Sequence, residues 1–258
     1  MSVLAVQVGA VAQRSITRTL RQPASVLPPL IFPVALMAVN AAGLKASTQL
    51  PGFPTNSFLA FALAVPFIQG ALFATLNAGS DLARDVQTGF LTRLSLTPMR
   101  GVALLSGQLS GIVVLGVIQA IFYIGVGLLS GVHFESGPGG MALLLLFAAV
   151  VSLGFGALGS FLALRTGSGE AVQAFFPVFF VFLFISSMNT PRDLIAVDWF
   201  RTAASANPVS YLIECVRSLI ITGWDGRALA LGFGIAIVLC VVAIALASWA
   251  LGRRMTRT

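Results

Sequence analysis

Apolar runs of about 20 residues recur along the whole chain, and no other feature limits its fold so sharply. A run of that length crosses a hydrocarbon core as a helix, and none of the runs shows the apolar-polar alternation that a lipid-facing barrel strand needs. Only 9% of the 258 residues are charged, against roughly 25% in a soluble domain. The expected fold is therefore an all-α integral membrane protein, a single transmembrane domain over 1–258. Its six transmembrane helices are placed at 23–44, 58–80, 102–131, 141–164, 171–188 and 228–251. Beyond a faint grouping into three hairpins there is no internal repeat.

The net charge of +7 comes from arginines at span ends, without the interleaved aromatics of a nucleic-acid surface, so no nucleic acid is expected as a partner. Six spans put both termini on one side. That side holds ten of the 15 basic residues, and the other holds Lys45, Arg192, Arg201, Arg217 and Arg227. By the positive-inside rule both termini are cytoplasmic in a multi-pass protein of the cell (plasma) membrane. Residues 1–22 lack the basic start and apolar core of a cleavable signal. They place Arg14, Arg18 and Arg21 on one helical face and Val8, Ala12, Ile16 and Leu20 on the other, as in an interfacial helix resting on membrane lipids.

Within the spans, Pro28, Pro29 and Pro33 predict a bent first helix, and Gln69 and Asn77 predict polar contacts inside the second. Gly107 with Gly111, Gly127 with Gly131, and the stripe of Gly154, Gly156, Gly159 and Ser160 predict close helix approach. Two cysteines, Cys215 and Cys240, make no disulfide framework.

Two islands interrupt the apolar pattern. The first, 81–101, gathers Asp81, Arg84, Asp85, Arg93 and Arg100, whose charges exclude it from lipid and make it a water-facing loop between spans. Thr88 and Gly89 break the chain there. Phe90, Leu91 and Leu94 form a short apolar helical face, and Thr97 and Pro98 stop it. The second island is 189–227. Asn207 is a good N-cap, Pro208 suits the first helical position and Gly223 a terminator, bounding a helix too short to span. Glu214 and Arg217 stand as helical neighbours, and Leu212, Val216, Leu219 and Ile220 form its buried stripe.

Two motifs then converge. GFLTRLSLTPMR, 89–100, resembles the cytoplasmic loop of type-2 ABC export permeases (ABC-2 type), and NPVSYLIECVR, 207–217, resembles the segment before their last span. Both fall in the expected places of a six-span chain, most like the daunorubicin-resistance branch. The resemblance implies a cytoplasmic coupling helix, with Asp85, Gly89, Phe90, Leu91, Arg93, Leu94, Thr97 and Pro98 as the ATPase-coupling residues. It implies a short external helix before the last span, with Asn207, Pro208, Tyr211, Glu214 and Arg217 in an external gate region. It further implies two copies of a cytoplasmic ABC ATPase subunit and a second permease chain, the same or homologous. The sequence departs from the family pattern at Phe90 and Thr92, where Thr and Glu are common.

No G-x4-G-K-[ST] phosphate loop occurs, so ATP and Mg are expected on the partner ATPase, with no cofactor and no metal in this chain. An intramembrane enzyme is disfavoured: the single His133 lies in a loop, no H-E-x-x-H occurs, and all eight acidic residues fall at span ends or in islands. A secondary transporter would carry polar groups at mid-membrane and inverted repeats. Apolar walls favour export of a lipophilic or amphipathic, drug- or antibiotic-like compound. The alternative inside the family is a lipid-linked polysaccharide or other envelope precursor.

Overall fold

The computed structural model describes residues 3–95 and 101–255, and every regular element among them is a helix. In chain order these are α1 (Val3–Leu20), α2 (Pro23–Gly43), α3 (Phe58–Ala62), α4 (Ala64–Gln87), α5 (Phe90–Ser95) and α6 (Gly101–Leu129). There follow α7 (Gly137–Thr166), α8 (Gly169–Ala174), α9 (Phe176–Phe184), α10 (Asp198–Ala206), α11 (Pro208–Arg217) and α12 (Gly226–Met255).

Among the described residues five stretches are long and apolar enough to cross a membrane: α2, α3 with α4, α6, α7 and α12. The stretch expected as the span 171–188 is different. Its apolar helix covers only Gly169–Phe184 and is interrupted at Phe175. Pro177 has no N–H for the carbonyl of Gln173, so the ladder breaks there. At about 1.5 Å per residue it reaches about 24 Å, short of the about 30 Å of a hydrocarbon core. The second expected span, 58–80, also changes. It is nicked at Leu63, where Pro66 leaves the Ala62 carbonyl without its helical donor, and then runs on to Gln87.

The bundle is organised around α7, whose small residues admit three neighbours. A Cβ on Gly154 would lie 3.2 Å from the Cys240 backbone of α12, and one on Gly156 would lie 2.9 Å from the Ile112 side chain of α6. One on Gly159 would collide with the Thr75 carbonyl of α4. Thr75 in turn donates its hydroxyl to the Phe155 carbonyl at 3.0 Å, so close approach and an interhelical hydrogen bond share one contact. Of the second expected glycine pair, a Cβ on Gly127 would meet Leu63, whereas Gly131 follows the end of α6 with φ +79° and a Cβ there would meet nothing within 4 Å.

The core has two ends. One gathers Phe61, Leu63, Phe147, Leu183, Leu212 and Ile213 around α3, α7 and α11. The other gathers Val11, Leu82, Leu105, Leu164, Val172 and Leu251 where α1 joins the bundle. These ends define an α11 pole and an α1 pole.

Candidate functional site

At the α1 pole, α4 carries Asp81 and Asp85 one helical turn apart, on one face. This corrects the expectation that residues 81–87 form a water-facing loop. They are the last turns of a helix, and Asp85 is 4% exposed. Its charge is met by α1. Arg14 reaches both carboxylate oxygens with its two terminal nitrogens, at 3.0 and 3.4 Å. Arg18 bridges Asp85 at 3.3 Å and Asp81 at 2.8 Å. A forked guanidinium on a buried carboxylate is the geometry in which such a pair is strongest. Two members of the arginine face, Arg14 and Arg18, thus meet α4. Among the described side chains of α1 the buried ones are Val11 and Thr19, while Leu20 is 50% exposed. The stripe is rotated because Gly107 and Gly111 of α6 receive Val11 and Ser15, and Ser15 donates to the Gln108 carbonyl at 2.7 Å.

The chain leaves α4 through Thr88, whose hydroxyl caps the Arg84 carbonyl at 2.9 Å, and through Gly89 at φ +68°, a backbone angle that favours glycine. α5 begins at once with Phe90. The Arg14 guanidinium lies 4.0 Å from the Phe90 ring centroid, so one side chain holds α4 and α5 together. Leu91 is half-buried against the α1-pole core, and Arg93 is exposed, reaching back to the Thr88 carbonyl at 3.4 Å. Leu94 belongs to α5; its side chain, and Thr97 and Pro98 altogether, lie outside the described residues.

At the α11 pole, Asn207 serves two helices. Its Oδ1 accepts the Val209 N–H at 2.9 Å, capping α11 ahead of Pro208 at the first position. Its amide donates to the Phe182 and Ile185 carbonyls at the end of α9. α11 runs into a π-helical turn, Ser218–Thr222, closed by Gly223 at φ +90°. The Leu219 and Ile220 carbonyls of this turn accept the Ser136 and Glu135 N–H groups from the loop before α7.

Glu214 and Arg217 do not pair as helical neighbours. Glu214 lies 2.6 Å from Arg192 Nη2, and Arg192 also covers the Tyr211 ring at 4.3 Å. Tyr211 donates its hydroxyl to the Ser205 carbonyl at 2.8 Å. Arg217 turns inward and is 7% exposed. It donates to the carbonyls of Phe61 at 3.3 Å, Ser187 at 3.0 Å and Met188 at 3.2 Å, and its guanidinium lies 3.5 Å from the Phe61 ring centroid. Burial pulls this guanidinium down to about 9, opposed by the charge of Glu214, and it stays protonated at neutral pH.

Two clefts adjoin the Arg192–Glu214 pair. One, of about 300 Å³, has Phe61, Arg217 and Thr222 in its walls. The other, of about 610 Å³, has Tyr211, Arg227 and Leu231. Arg192 and Phe61 are members of this site that the sequence reading does not single out. Neither stands at a helical spacing from α11, and only the fold brings them to it.

The chain resembles known transport proteins over most of its length. It is 28% identical over 224 residues to "Daunorubicin resistance ABC transporter permease protein DrrB1" of Streptomyces coeruleorubidus, covering 84% of this chain and 72% of that one. It is 26% identical over 223 residues to "Putative transport permease ycf38" of Porphyra purpurea, covering 85% and 76%. The like-named protein of Cyanophora paradoxa is 25% identical over 205 residues, covering 77% and 69%. The sequence pattern of the ABC-2 type transporters matches residues 6–221, which takes in Arg14, Asp85, Phe90, Arg192 and all of α11, and the chain belongs to the ABC-2 type transporter family.

Proposed function

We propose that this permease subunit is driven by a separate cytoplasmic ABC ATPase that docks on α5 and the adjoining end of α4, and that it exports a lipophilic or amphipathic compound. The observation that carries the reading is the short helix Phe90–Ser95, bound through Arg14 to both α1 and the end of α4. A push on α5 would pass directly into α4, which packs along α7, because three elements share one charged clasp. The chain lacks a phosphate loop, so ATP and Mg belong to the ATPase, in two copies, beside a second permease chain, the same or homologous.

In this reading the α1 pole and both termini are cytoplasmic, in the plasma membrane, and α8 with α9 form a short fifth crossing that completes six. The α11 pole, with Asn207, Pro208, Tyr211, Glu214 and Arg217, is then the external gate region. The drug-like cargo class is supported by the printed name of the Streptomyces relative and by apolar span surfaces.

The test is mild-detergent purification of the tagged chain from its host, with mass spectrometry of what accompanies it. An ABC ATPase in stoichiometric amount is expected. A chain that is active in reconstituted export without one would overturn the reading.

A further inference from the structure

In an α-helix the N–H of each residue bonds the carbonyl four positions earlier, so every proline leaves one such carbonyl open. In α2, Pro29 opens the carbonyl of Ser25 and Pro33 opens that of Pro29. Both openings are filled from other helices. The Asn77 amide of α4 donates to the Ser25 carbonyl at 3.0 Å, and the Tyr123 hydroxyl of α6 donates to the Pro29 carbonyl. Tyr123 is fully buried, with its ring edge-on to Phe67.

The rest of α2 holds on loosely. Its apolar window is only 17% buried, the least of the five candidate spans, and Leu27, Ile31, Phe32 and Val39 face outward. Its buried stripe is Pro29, Pro33 and Met37, so two of the three prolines inside the helix are turned to the bundle, whereas Pro28 is exposed. A span with its ladder opened at consecutive turns bends readily, and two side-chain donors one turn apart select a single bend. Leucines in place of these prolines would pack as well and need no donors.

We propose that α2 is a hinge, and that Asn77 and Tyr123 are its positioning residues, latching the arrangement of α2 seen here and releasing it as the permease changes state. This rests on the transport reading for its role in the cycle, but the latch itself is a property of the chain alone. Tyr123→Phe removes one hydroxyl and keeps the ring. Pro33→Ala returns a backbone donor to the same carbonyl, so the two substitutions must compensate.

Spin labels at Val39 and Leu128, both exposed, report the distance from α2 to α6 in nanodiscs, with Cys215 and Cys240 replaced by alanine. The parent is expected to give one dominant distance. In Tyr123→Phe the latched population should fall relative to the open one by about three- to tenfold, the worth of one interhelical hydrogen bond in a membrane. Pro33→Ala with Tyr123→Phe should return to one dominant distance, that of a stiffer α2 whose Pro29 carbonyl is bonded within its own helix. An unchanged distribution in Tyr123→Phe, or a double variant as broad as the single one, overturns the latch. If Tyr123→Phe does not fold, the cycle of Asn77→Leu with Pro29→Ala gives the same decision at the other carbonyl. With the copurified ATPase, ATP and vanadate should shift the parent toward the open distance. A fixed distance there overturns the hinge, whereas absence of any ATPase counts against the transport reading instead.

Discussion

Arg14 stacks on Phe90 at 4.0 Å while the same guanidinium grips Asp85 at 3.0 Å, so a helix near the start of the chain is joined to the end of α4 and to the helix beyond it. Asp85→Asn keeps the shape and removes the charge. It should lower stability by about 1–3 kcal/mol, toward the lower end because Arg14 is partly exposed and screened. Hydrogen exchange should rise in α1 before it rises in α6. Equal exchange in variant and parent would refute the clasp.

Phe90→Asp tests the docking proposal. The new carboxylate would draw Arg14 away from Asp85 and put charge on the apolar face of α5. ATPase copurification should drop by about tenfold or more, about 1.4 kcal/mol, with a loss of stability no greater than that of Asp85→Asn because Arg18 still holds Asp85. Retained ATPase binding with full ATP-driven export would contradict the docking role.

Glycines on the bundle should differ sharply in their tolerance. Gly159→Ala sets a Cβ against the Thr75 backbone of α4, which cannot swing aside, and should cost about 1–3 kcal/mol. Gly125→Ala meets nothing within 4 Å and should be neutral or stabilising by up to about 1 kcal/mol. Thermal unfolding in one detergent compares the two directly.

The Arg192–Glu214 pair is partly open to water, so a double-mutant cycle with Arg192→Gln and Glu214→Gln should give a coupling of about 0.5–1 kcal/mol that shrinks in high salt. If this pair closes the external gate, each single variant should change export rate more than stability. Matching losses in both would make it a purely structural tie.

For Arg217 the sign of the pH dependence follows from burial. Its folded-state value, about 9, lies below the ordinary range, so above pH 9 the unfolded chain holds the proton more tightly than the folded one. The burial penalty is present through neutral pH and is relieved as pH rises past 9. Stability of the parent should therefore carry a rising component between about pH 9 and 11. Arg217→Gln should lack it, and should lose about 2–4 kcal/mol by leaving the Phe61, Ser187 and Met188 carbonyls without a charged donor.

Local chemistry was legible in the sequence, because it depends on neighbours along the chain. Repeated apolar length alone determined an all-helical membrane protein, and two short motifs determined the ABC-2 family. Asn207, Pro208 and Gly223 mark the ends of α11 and its π turn by their own backbone and capping preferences. Partner choice was not legible, since spacing on one helix does not say what another helix will bring. Arg14 and Arg18 meet Asp85 and Asp81, Glu214 meets Arg192 instead of Arg217, and Asp81 to Gln87 continue α4 because α1 neutralises its two carboxylates. Three prolines marked α2 as a helix with open carbonyls. Only the folded bundle decided that Asn77 and Tyr123 would fill two of its open carbonyls, since the donors arrive from spans 52 and 94 residues away.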